Sequence, residues 1–96
     1  MRKKARVDDN QNAVVKALRQ ITGVTVAITS QLGNGLPDFI VGTKGKNYMI
    51  ELKDGKKANS KKKLTEDEQE FHDKWKGSIH VCESLDDVLN VINGKS

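Results

Sequence analysis

The chain has 96 residues, 35% of them hydrophobic and 31% charged, and a formal net charge of +4. That length has room for a single domain over residues 1–96, with a thin core, because a chain this short buries only about 60 to 65% of the surface it exposes unfolded. Its one cysteine, Cys82, excludes an intrachain disulfide and a multi-cysteine zinc site, and no apolar run approaches the roughly 18 residues that a membrane span requires.

Over residues 9–21, apolar side chains at Ala13, Val14, Ala17, Leu18 and Ile21 follow the stripe of an amphipathic helix, with Gly23 placed to end it. Residues 24–29 are rich in β-branched side chains and predict a strand. Residues 31–37 hold Gly33, Asn34, Gly35 and the only proline, which is loop chemistry. Two further strands are expected over 38–43 and 47–53, joined by a tight turn at Lys44, Gly45 and Lys46.

Residues 54–63 read as a surface loop in which Ala58 is the one apolar side chain. Thr65 and Glu68 then form a Thr-x-x-Glu capping box for a helix reaching about Lys76, with Gly77 as its stop. A short strand over 78–83 follows. Ser84 caps a last helix whose apolar face is Leu85, Val88, Leu89 and Ile92. The order αβββαβα predicts an α/β (α+β) domain with a four-stranded mixed sheet flanked by helices. Cys82 falls in the last strand and is expected in the core.

Alternation along the third strand puts Tyr48, Ile50 and Leu52 on one face and Met49, Glu51 and Lys53 on the other. If Lys44 and Gly45 form a two-residue loop, paired residue numbers sum to 89, and Asp38 lies opposite Glu51. Directly opposed Cβ atoms are roughly 4.5 to 5.5 Å apart, so both carboxylates reach one point. Two carboxylates that close would force one to protonate unless a cation lies between them. Magnesium takes hard oxygen ligands and keeps several waters, so Asp38, Glu51 and the Leu52 carbonyl would suffice, with Lys53 on the same face to orient water or stabilise charge at phosphorus. An acid-x-base triplet on a strand is more often salt-bridge material. The preceding Pro-Asp turn, the register and the neighbouring lysines favour chemistry here.

Charge is unevenly distributed. Between Lys44 and Lys63 there are eight lysines against Glu51 and Asp54, whereas residues 66–73 carry five acids and no lysine or arginine. Lys56, Lys57, Lys61, Lys62 and Lys63 are expected to meet a phosphate backbone rather than bases. His72 and His80 have no zinc-ligand spacing, and Phe71 and Trp75, four apart, are read as core or interface rather than a platform for bases.

Gly35-Leu36-Pro37-Asp38, followed thirteen residues later by Glu51-Leu52-Lys53, resembles the signature of the PD-(D/E)xK nuclease superfamily in its VRR-NUC branch. Arg6-Val7-Asp8, Asn10-Gln11, Asp54-Gly55 after the Glu-x-Lys, and Leu64-Thr65 before a helix bearing Gln69, Phe71 and Trp75 resemble the small stand-alone members in bacteriophages. The resemblance implies a restriction-endonuclease-like core, a magnesium or manganese ion on Asp38 and Glu51, and Lys53 as catalytic lysine. It further implies a homodimer acting on Holliday junctions or other branched DNA.

Many relatives carry a first-helix glutamate near the metal; here Gln11 is either its surrogate or there is no first-helix ligand. Asp8 or Asp9 suits a helix N-cap. Gln69 resembles a family position near the site and is otherwise a solvated helix residue. A cytoplasmic location, the host's for a phage protein, is expected, since the basic residues 1–6 precede no signal-peptide apolar segment. The competing expectations are a non-catalytic nucleic-acid-binding module and a subunit of a phage recombination or packaging assembly.

Overall fold

The first apolar stripe forms helix α1, Asp9–Arg19, and buries Val14, Val15 and Leu18. The computed structural model describes residues 9–53 and 64–94. The helix ends two residues earlier than its periodicity suggests, because Gln20 and Ile21 close onto Ala17 and Leu18 by tighter i→i−3 bonds and Gly23 turns the chain with φ +84°. Ile21 is therefore exposed and drops out of the stripe.

Strand β1, Val24–Ile28, leads through a 3₁₀ turn at Ser30–Leu32 to β2, Phe39–Thr43, and β3, Lys46–Leu52. β2 and β3 pair antiparallel with Phe39 opposite Ile50 and Thr43 opposite Lys46, which is the register inferred from a two-residue turn. Lys44 and Gly45 occupy that turn with φ of +54° and +77°. Two successive positive φ values match the twist of a two-residue hairpin. α2 spans Glu66–Lys74 behind a complete capping box, in which the Thr65 side chain and the Glu68 side chain each take the other's backbone N–H. It stops short of Lys76, since Trp75 is already extended.

β4, Ile79–Cys82, pairs parallel with β3, and α3, Leu85–Ile92, closes the order αβββαβα. The sheet is mixed, with spatial order β1-β2-β3-β4. Ser84 caps α3 by accepting the Asp87 N–H. α1 and α3 cover one face, where Val14, Val15, Leu18, Phe39, Val41, Ile50, Leu52, Cys82, Val88 and Ile92 make the core. Burying each such side chain contributes roughly 1.5–3 kcal/mol.

The opposite face follows from the same alternation. Ala27, Ile40, Met49 and Ile79 are successive register partners and form an apolar row across all four strands, outside the core. Val81, beside Glu51 in the ladder, is 52% exposed. Among the described residues, no helix is long and apolar enough to cross a membrane.

Candidate active site

Asp38 is fixed by its main chain before its side chain does anything. Its N–H donates to the Ile50 carbonyl, and its own carbonyl, turned toward β1, accepts the N–H groups of Thr29 and Ser30, each at 2.9 Å. Pro37 before it is buried and tied at 2.7 Å, where its carbonyl accepts the Thr29 hydroxyl. With the carbonyl used toward β1, the carboxylate takes the facing bond instead, and Asp38 Oδ2 accepts the Leu52 N–H at 2.7 Å.

Glu51 lies across from it on β3, on the face away from the core, and is nonetheless only 1% exposed. Its Oε2 stands 3.7 Å from Lys53 Nζ, and its Oε1 is buried with no hydrogen-bond partner among the described residues. Lys53 is held at the strand end by its N–H, which donates to the Cys82 carbonyl of β4 at 2.8 Å.

The residue that sequence reasoning missed is Glu68. Read as a helix cap, it does cap α2, but the same Oε1 that accepts the Thr65 N–H at 2.9 Å also accepts Lys53 Nζ at 2.8 Å. Its second role depends on where the N-terminus of α2 sits. Gly35, with φ +78°, lets the loop before Pro37 approach so closely that a Cβ there would run into the Asp67 carbonyl. The loop carrying Asp38 and the helix carrying Glu68 are thereby brought together. An acid at the third helical position was the available signal, but its partner Lys53 is fifteen residues away across a segment that local pattern cannot bridge.

Among the described residues, three carboxyl groups thus gather about the Lys53 ammonium, and their protonation reflects it. Burial, then the charges of Asp38 and Glu68, push the Glu51 carboxyl up from 4.5 to about 9. Burial also raises Asp38, although the Leu52 N–H opposes it. For Lys53, burial works against the charged form, but the Glu68 bond and the surrounding carboxylates outweigh it and raise the ammonium above its usual range. Glu68 is held low despite burial, by Lys53 and the Thr65 N–H.

Among the described residues, no three His, Cys, Asp or Glu side chains stand together as metal ligands. Glu68 is turned to Lys53, which leaves Asp38 and Glu51 as the pair facing each other. That donor set fits a magnesium-type cation, which binds through one or two carboxylates and keeps water for its other positions. Glu51 Oε1, which has no hydrogen-bond partner among the described residues, is a hard oxygen that such a cation could take once the carboxyl gives up its proton.

Gln11 is 2% exposed and donates to the Ser30 hydroxyl at a long 3.4 Å. Ser30 in turn donates its N–H to the Asp38 carbonyl, so Gln11 is linked through Ser30 to the main chain of Asp38. Gln69 is exposed and donates to the Asp73 carboxylate at 2.9 Å. Lys56, Lys57, Lys61, Lys62 and Lys63 lie outside the described residues, as does Asp8. Comparison with protein-family models, with curated proteins and with solved structures gives no match.

Proposed function

We propose that this chain is a magnesium- or manganese-dependent deoxyribonuclease of the VRR-NUC kind, hydrolysing phosphodiester bonds in branched DNA such as Holliday junctions as a cytoplasmic homodimer. The observation that carries the reading is Glu51: a carboxyl 1% exposed, clustered with Asp38, Glu68 and Lys53, and with one oxygen that has no hydrogen-bond partner among the described residues. A cluster of that composition is costly to keep unless a cation, and through it an anionic substrate, makes use of it.

Asp38 and Glu51 would hold the cation, with the Leu52 carbonyl adjacent. When bound, a divalent cation neutralises the carboxylates and polarises a phosphoryl oxygen. Lys53 supplies a second charge, favoured by the Glu68 bond and the surrounding carboxylates over the opposing effect of burial, and it would stabilise charge on phosphate or orient water. Glu68 positions that ammonium. The dimer is supported by the apolar row from Ala27 to Ile79, in which Ala27 is exposed and Ile40, Met49 and Ile79 are half-buried, with the exposed Val81 on the same face.

The test is cleavage of labelled four-way junction, flap, duplex and single-stranded DNA in magnesium, manganese or EDTA, by the wild-type protein and by Lys53→Ala. Metal-dependent junction cutting that disappears in the variant is expected. Salt-sensitive binding without cutting in either metal would replace this reading with that of a non-catalytic nucleic-acid-binding module.

A further inference from the structure

Residue type and spacing suggest a core or interface for Phe71 and Trp75, but neither belongs to the core cluster, and Trp75 is 44% exposed. Their rings stack at 5.1 Å between centroids and 17° between planes. They line a cleft of about 380 Å³ between α2 and the loop before Pro37, together with Asn34, Asp67, Glu70 and Lys74. Two close approaches hold its walls. Gly35 brings the loop onto the Asp67 carbonyl, and the indole lies over Gly77, where a Cβ would come within 2.8 Å of Trp75 Nε1.

The lining selects its guest by charge. Lys74 pairs with Glu70 at 2.9 Å, and among the described residues Asp67 is the carboxylate of the cleft without such a partner. A bare phosphate meets the two acids, and a guanidinium or ammonium meets Lys74. A neutral flat ring meets neither conflict. It can stack on the aromatic pair while an exocyclic amino group donates to Asp67 and the Asn34 amide takes a second edge. α2 also connects this cleft to the candidate active site, because Asp67 immediately precedes Glu68, the partner of Lys53.

We infer that this cleft is a binding site for one unpaired nucleobase, favouring bases with an exocyclic amino donor, which would seat a displaced nucleotide beside the scissile phosphate. The inference rests on the reading of a nucleic-acid substrate, but not on cleavage. Trp75 is the only tryptophan, so its fluorescence reports the cleft directly.

The experiment titrates the full chain in EDTA with pentanucleotides of deoxycytidine or thymidine, following tryptophan emission, with DNA binding monitored separately by anisotropy. Saturable quenching is expected, tighter for deoxycytidine. Phe71→Ala should weaken it by about fivefold or more. Asp67→Ala, which leaves the aromatic stack in place, should abolish the preference for cytosine over thymine. DNA binding without quenching would overturn the base site, as would a tryptophan response to an arginine-rich peptide and not to oligonucleotides. Quenching without cleavage under any metal would leave the cleft standing and remove the nuclease, whereas cleavage without quenching would do the reverse.

Discussion

Glu51 is held where a carboxylate is least stable, and this fixes a direction for pH dependence. In the cation-free protein its proton is lost only near pH 9, against about 4.5 for the same group unfolded. The folded state therefore binds the proton more tightly, and stability falls as pH rises between those values, with a slope of up to about 1.4 kcal/mol per pH unit. Thermal unfolding in EDTA should show a falling Tm from about pH 5 to 9, flattened in Glu51→Gln. An equal slope in both proteins would mean that Glu51 does not carry the proton.

Glu68 allows its two roles to be separated by substitution. Glu68→Gln keeps an oxygen for the Thr65 N–H but removes the charge beside Lys53, so the ammonium deprotonates more readily. The alkaline limb of the cleavage profile should move to lower pH. Thr65→Ala damages the cap, costs about 1 kcal/mol of stability, and should leave that limb in place. Coincident shifts in the two variants would show that Glu68 acts through helix stability alone.

At the scale of elements, the site depends on the seating of the Gly35 loop against α2. Gly35→Ala meets both a positive φ and the Asp67 carbonyl and should cost roughly 1–3 kcal/mol. Gly45→Ala has a similar φ in open space and should cost about 1 kcal/mol or less. Urea unfolding compares them; equal costs would argue that the loop and helix do not touch. The β2–β3 register was legible because the turn Lys44-Gly45 sets it, and the cap of α2 because Thr65 and Glu68 lie three apart. Local signals of that kind also placed Asp38 opposite Glu51. What pattern could not show was anything set by packing between distant elements: the burial of Glu51, the reach of Glu68 to Lys53, the bond from Gln11 to Ser30, and the exposure of Trp75 at a helix end that comes early. Periodicity extended α1 to Ile21 and α2 to Lys76 because it cannot sense the tight turn and the extended Trp75 that stop them.

The whole molecule sets a basic chain of net charge +4 against an acidic cluster, an arrangement that draws a polyanion to the protein and leaves a cation to admit it to the site. Replacing Lys61, Lys62 and Lys63 with alanine should weaken binding to every DNA sequence and flatten the salt dependence by about 0.9 in log–log slope for each phosphate that is no longer neutralised. An unchanged slope would place the DNA backbone elsewhere. The proposed chemistry depends above all on Asp38 and Glu51 taking a divalent cation in place of a proton. Calorimetric titration of the protein with manganese near pH 7.5, repeated in buffers of different ionisation enthalpy, measures both the binding and the proton. Saturable binding with release of about one proton per ion, abolished in Asp38→Asn, is expected; absence of binding, or binding that releases no proton and survives Asp38→Asn, would refute the exchange.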